Sequence, residues 1–141
     1  MDIKYLAGII DGEGYVGIRR CVTKGDMLIP EFKPTITITN TNYDLMVALK
    51  DNFKGSICNR GQKNSKWKKS FAFEFNRSEI RRILPLILPH LILKKKQAEL
   101  LGELFGTYKE HLGIKHGYSV KEVQEKERLH KRSLLLNKRG F

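Results

Sequence analysis

The chain has 141 residues, enough for one domain with a real core and too few for two comfortable ones. Its 27 Lys and Arg against 15 Asp and Glu leave a formal net charge of +12, an excess that folding does not need and that points to a polyanionic partner, nucleic acid before a membrane surface. The 40% of hydrophobic residues excludes a disordered basic tail, no apolar run reaches spanning length, and the 2 cysteines and 4 histidines show no zinc spacing.

In chain order, Asp2 is placed to N-cap a first helix that carries Ile3, Leu6, Ala7 and Ile10. That helix runs into Asp11-Gly12-Glu13-Gly14, where two glycines release the helix and free the backbone around Glu13. A strand follows over Tyr15–Val22, in which Val16, Ile18 and Val22 alternate with Tyr15, Gly17, Arg19 and Cys21. Thr23-Lys24-Gly25-Asp26 reads as a hairpin connection to a second strand ending near Asn40. Phe32, Pro34, Ile36 and Ile38 fall on one of its faces, and Glu31, Lys33, Thr35, Thr37 and Thr39 on the other. Asn42 then caps a helix through Leu45, Met46, Leu49 and Phe53, with Gly55 close behind its end.

A second hairpin is expected from Gly55–Arg60, a polar loop at Gly61–Lys66, and Trp67–Asn76, where Phe71, Phe73 and Phe75 alternate with small or polar residues. The helical period returns at Ser78 with Ile80, Ile83 and Leu84, and Pro85 is expected to stop it. Beyond Pro89 a longer helix is predicted to hold Leu93, Leu100, Leu101, Leu104 and Phe105. Lys94-Lys95-Lys96 lies at its start, where cations oppose the helix dipole unless an anion offsets them. After a break at Gly113–Gly117, Ser119-Val120-Lys121-Glu122 has capping-box spacing and opens a last helix heavy in Lys and Arg.

This order gives an α+β fold class with a four-stranded antiparallel sheet, one face on helices and the other polar. Sheets of this kind enter a DNA major groove, where Arg, Lys, Thr, Ser and Asn side chains read base edges. Cys21 and Cys58 follow no signal peptide and read as free thiols in a reducing compartment. The expected place of action is a prokaryotic cytoplasm or the organelle that encodes the chain, not the outside of the cell, and no membrane partner is expected.

Leu6-Ala7-Gly8-Ile9-Ile10-Asp11-Gly12-Glu13-Gly14 resembles the signature of the LAGLIDADG homing endonucleases, departing from it at Ile9, Gly12 and Glu13. Ile36-Thr37-Ile38-Thr39-Asn40 before a helix, the strand pair after it, and Pro89 to Ala98 extend the resemblance over Ile3 to Tyr108. It implies an αββαββα endonuclease core over residues 1–110, with 111–141 as a C-terminal helical extension of the same domain. Single-motif chains of that family act as homodimers, so it also implies a homodimer packed through Leu6, Ala7, Gly8, Ile10 and Asp11. Its target would be a long pseudo-palindromic site on double-stranded DNA. The sheet residues expected to contact that DNA are Arg19, Lys33, Thr35, Thr37, Arg60, Lys68, Ser70 and Glu74.

The resemblance also implies Glu13, one from each subunit and with the Gly12 carbonyl beside it, as the ligand of Mg²⁺, with Mn²⁺ able to substitute. Asn40 matches a family position that helps hold water around the metals, and Lys94 matches a lysine near the scissile phosphate. Read as residues alone, Asn40 forms a turn before its helix and Lys94 is a solvated helix start for which Lys95 or Lys96 could stand in. Asp11 is the motif's structural acid, and Asp44 stands near a place where some relatives carry an Arg. The implied activity is a site-specific, metal-dependent double-strand break with short 3′ overhangs, serving intron or intein homing. A maturase bound to its own intron RNA, or a nucleic-acid-binding protein without catalysis, would use the same scaffold. A basic ribosome-associated protein would leave the glycine-framed acids unexplained.

Overall fold

The computed structural model describes residues 1–22, 30–61, 68–108 and 120–138. The expected connection at Thr23–Asp26, the loop after Gly61 with Trp67, the break at Gly113–Gly117 and the cap at Ser119 lie outside the described residues. Helix α1 (Ile3–Glu13) starts where the Asp2 side chain accepts a hydrogen bond from the Lys4 N–H at 2.7 Å. It passes through Gly12, and Gly14 leaves it in ordinary extended backbone, at φ −86°. The expectation that these glycines loosen the backbone is therefore replaced by a packing reason at Gly14. A Cβ there would stand 2.6 Å from the Ile10 carbonyl oxygen, closer than a side-chain carbon can approach.

Strands β1 (Gly14–Val22), β2 (Pro30–Asn40), β3 (Gly55–Gly61) and β4 (Ser70–Phe75) form one antiparallel sheet in the order β1-β2-β4-β3. Its register sets Val16 opposite Ile36, Ile18 opposite Pro34 and Ile38 opposite Phe73, so these side chains share a face. Tyr15 with Thr37, Arg19 with Lys33, and Thr37 with Glu74 share the other. The apolar face is buried against Leu6, Ala7 and Ile10 of α1, Met46 and Leu49 of α2 (Tyr43–Asn52), and Ile80, Ile83 and Ile87 of α3 (Arg77–Ile87). Leu101 and Leu104 of α4 (Lys95–Thr107) complete that layer. Each of the Leu, Ile and Met side chains among them stabilises the fold by about 1.5–3 kcal/mol relative to exposure.

Two helix boundaries differ from expectation. Pro85 does not stop α3, which continues to Ile87 and a 3₁₀ turn at Leu88–His90. Pro85 and Arg81, whose carbonyl loses its helical partner, are both exposed, while buried Ile83, Leu84 and Ile87 hold the last turn on the core. Helix α4 begins only at Lys95, so Leu93 stays outside it and is 71% exposed. Helix α5 (Val120–Leu136) covers the edge strand β1. Its Ser133 Oγ accepts from the Ile18 N–H at 3.0 Å, Asn137 Nδ2 donates to the Val16 carbonyl at 2.9 Å, and Leu129 enters the core. Two backbone groups that an open edge would offer to another chain, the Ile18 N–H and the Val16 carbonyl, are thereby satisfied.

Candidate active site and nucleic-acid interface

The last turn of α1 carries two acids in opposite surroundings. Asp11 is half-buried, and its carboxylate accepts hydrogen bonds from the backbone N–H groups of Ile92 at 3.0 Å and Lys94 at 2.9 Å. Those donors belong to the segment entering α4, where unpaired N–H groups and three lysines concentrate positive charge. Partial burial pushes the Asp11 carboxyl up, but the N–H groups of Leu93, Lys94 and Ile92, with the Lys94 charge, outweigh it and hold its pKa below the ordinary value. Asp11 is thus the anion that offsets the lysine-rich helix start.

Glu13 is exposed, and its Oε2 accepts from Asn40 Nδ2 at 2.7 Å. Asn40 Oδ1 in turn accepts from the Asn42 N–H at 2.8 Å, and the Asn42 side chain caps α2 by accepting from the Asp44 N–H at 2.9 Å. Turn formation and holding water around the metals are the two readings of Asn40 in the sequence; the structure shows the turn contact and, beside it, a contact with Glu13. The side chain makes both contacts, because its acceptor and donor face different ways.

A cleft of about 540 Å³ opens beside Glu13, lined by Tyr15, Thr39 and Lys94 and flanked by Leu136, Asn137 and Lys138. Among the three consecutive lysines, Lys94 is half-buried and lines this cleft, whereas Lys95 and Lys96 are exposed on α4. Tyr15, Thr39, Asn137 and Lys138 were not singled out from the sequence. Strand parity with Arg19 and Thr37 could have found the first two. No local signal marks the last two, which arrive from the far end of α5.

The opposite flank of α1 is apolar and uncovered. Tyr5, 57% exposed, lines a hollow with Gly8, Ile9, Gly12 and Leu45 that ends at Glu13 and Asn40. A Cβ placed on Gly8 would meet nothing within 4 Å. Leu6, Ala7 and Ile10 correct the expectation of a dimer contact, because all three are fully buried in the chain's own core. Asp11 is engaged within the chain by Ile92 and Lys94. Helical periodicity explains the division: positions 6, 7 and 10 face inward, and 5, 8, 9 and 12 face outward.

Among the described residues no three His, Cys, Asp or Glu side chains gather as a metal cage. The donors at Glu13 are a single carboxylate and the carbonyl-rich end of a helix, whose partial negative charge favours a cation. Such an open, all-oxygen set fits Mg²⁺, which retains waters and shares substrate phosphates.

On the polar sheet face, Arg19 and Lys33 are exposed as expected. Thr35 and Thr37 are not; they are 5% and 6% exposed. Arg19 on β1 reaches across β2 to Glu74 on β4, Nη2 to Oε1 3.5 Å, and this pair lies over the central strand. Glu31 meets Lys33 at 3.8 Å and Arg77 at 3.9 Å, so it too compensates the basic surface. Arg60, at the irregularity of β3, shares a hollow with Thr37 and Thr39. Ser70 is half-buried opposite Gly61, and Lys68 is exposed just ahead of β4.

No protein-family model and no curated protein sequence matches the chain. Solved structures of DNA-bound homing endonucleases do resemble it. The archaeal intron-encoded homing endonuclease I-Vdi141I, complexed with DNA, superposes with a TM-score of 0.74 at 18% identity, covering 99% of this chain and 86% of that one. The homing endonuclease I-CvuI, in complex with its target in the presence of Ca, gives 0.72 at 18% identity, with coverage of 99% and 83%. The LAGLIDADG homing endonuclease I-GzeII, in complex with its DNA target, gives 0.69 at 22% identity, covering 92% of this chain but 44% of that one. The class defined by these likenesses is α+β, with a four-stranded antiparallel sheet backed by helices. In particular, the chain has the LAGLIDADG homing endonuclease fold.

Proposed function

We propose that the chain is a site-specific, metal-dependent DNA endonuclease acting as a homodimer. The observation that carries this reading is the position of Glu13. Its carboxylate is exposed and oriented by Asn40, and it stands where an uncovered helix face meets the polar face of a sheet. DNA-bound structures of the same fold support duplex DNA as the substrate. The dimer is supported by coverage: one copy spans 86% of I-Vdi141I but 44% of I-GzeII, so a second copy would supply the missing half of a two-part site.

Glu13 and the Gly12 carbonyl would hold a divalent cation, Mg²⁺ or Mn²⁺, which when bound lowers the pKa of an attacking water and offsets charge on the phosphate. Asn40 fixes the carboxylate, limiting the geometries it can sample. Lys94, half-buried in the adjoining cleft, brings a positive charge to the side where phosphate charge would grow. Cuts by two symmetry-related sites across the minor groove would leave short 3′ overhangs. Intron or intein homing in the encoding cell or organelle is the biology that such breaks serve.

The test uses a duplex in which the sequences flanking the gene are joined, incubated with the protein and Mg²⁺ or with EDTA. Mg²⁺-dependent linear products with 3′ extensions are expected, and affinity should fall steeply with salt. Tight binding to the intron transcript, with that duplex left intact, would replace this reading by the maturase.

A further inference from the structure

We propose that Arg19 and Glu74 act as one reading unit that selects a single G·C base pair in each half-site, with guanine on the Arg19 side. The inference rests on the DNA-binding role proposed above and adds what one part of the surface recognises. Arg19 is opposite Lys33 in the β1–β2 register, and Glu74 is opposite Thr37 in the β2–β4 register. The contact between them therefore runs diagonally over β2, spanning four residues or about 13 Å along the strand, and its midpoint is Thr35. Both side chains remain open to a groove above them, at 52% and 34% exposure, while Thr35 and Thr37 below are nearly sealed. The pair thus replaces the threonines as the outermost chemistry at the centre of the sheet.

Its hydrogen-bonding pattern is specific. Guanidinium presents adjacent N–H donors, and the carboxylate beside it presents acceptors. A G·C pair shows, across the major groove, the guanine N7 and O6 acceptors followed by the cytosine N4 donor. Donor, donor, acceptor on the protein matches acceptor, acceptor, donor on the DNA. An A·T pair places the adenine N6 donor where the second acceptor should be, so it meets the guanidinium with like polarity. The carboxylate also excludes a phosphate from this spot, which restricts Arg19 to base edges. Strand rise and base-pair rise are nearly equal, so the five-residue step from Thr35 to Asn40 puts the selected pair about five base pairs from the scissile phosphate.

The experiment selects bound molecules from a pool of randomised duplex DNA and sequences them, for the wild type, Glu74→Ala, which removes the acceptor, Arg19→Gln and the double variant. In the wild-type motif two symmetric G·C positions should be enriched, about five pairs outside the cleavage positions. Each variant should relax discrimination at those same two positions about tenfold or more, and the other positions should persist. The double variant should relax them no further than Arg19→Gln does. A wild-type pool with no enriched motif overturns the DNA-binding reading and this inference with it. An enriched motif that survives Glu74→Ala at every position, or two variants that relax different positions, overturns the paired reading alone.

Discussion

At the end of α1, Asp11 turns toward α4 and is taken up by two backbone N–H groups, whereas Glu13 stays exposed with one oxygen held by Asn40. Both are carboxylates of one short motif, and a two-residue step around a helix sends them to different neighbours. The contrast separates two uses of an acid. A carboxylate saturated by backbone donors ties elements together, and one with a single orienting partner is left to bind something else.

The sharpest break of that contrast is Glu13→Gln. Its amide oxygen can still accept from Asn40, so the unfolding free energy from a urea titration should stay within about 0.5 kcal/mol of wild type. Single-turnover cleavage should fall about a hundredfold or more, since several kcal/mol of charge stabilisation is lost with the carboxylate. A variant that cleaves at close to the wild-type rate would move the metal away from Glu13.

Asp11→Ala should show the reverse profile. Loss of two charge-assisted hydrogen bonds at a half-exposed site should cost about 2 kcal/mol in a urea titration. The pH dependence follows from the direction of the Asp11 shift. Its folded pKa is below the unfolded value of about 3.9, so the unfolded chain takes up the proton first. The contribution of Asp11 is complete above that value and is lost as pH falls toward the folded pKa. Wild-type stability should accordingly drop more steeply below about pH 4 than that of Asp11→Asn. Parallel curves would mean that the charge of Asp11 is not what holds α4.

These assignments also mark where the sequence was readable. The alternation in β2 and the cap signals at Asp2 and Asn42 are local and periodic, and the elements lie where those signals put them. Leu6, Ala7 and Ile10 carried no local sign of which surface they cover; a buried stripe looks the same whether the partner is a sheet or a second helix. The burial of Thr35 and Thr37 and the meeting of Arg19 with Glu74 both depend on which strands become neighbours, which no single-strand pattern contains. Pro85 carried a true local signal that tertiary packing overrode. Asn137 and Lys138 reach the cleft only because α5 covers the β1 edge.

Asn40 lets the two uses be separated within one residue. Asn40→Ala removes both contacts and should cost about 1 kcal/mol of stability and about tenfold in cleavage rate. Asn40→Asp keeps an acceptor for the Asn42 N–H but sets a second carboxylate beside Glu13. Relative to Asn40→Ala, stability should then be regained only partly, because the two carboxylates repel once both are ionised, and cleavage should stay low. Full activity in Asn40→Asp, with the α2 cap intact, would show that the amide donor is not needed to orient Glu13.

The smallest effect is expected at Gly8, on the outward face that the motif shares with Glu13. In a single copy, alanine there meets nothing within 4 Å and should stabilise the helix by about 1 kcal/mol, the ordinary gain over glycine. If that face is instead closed by a second α1, the same methyl group enters the space between two helices and opposes their approach. The two effects have opposite signs and differ in concentration dependence, because only association makes stability depend on protein concentration. Gly8→Ala should therefore raise the melting temperature of dilute protein slightly while weakening the dimer in sedimentation equilibrium. Gly8→Leu should strengthen the second effect and lose cleavage with it, since each copy brings one Glu13. Unchanged sedimentation in both variants would place the dimer contact away from Gly8 and leave Tyr5, Ile9 and Leu45 as a surface without a second copy.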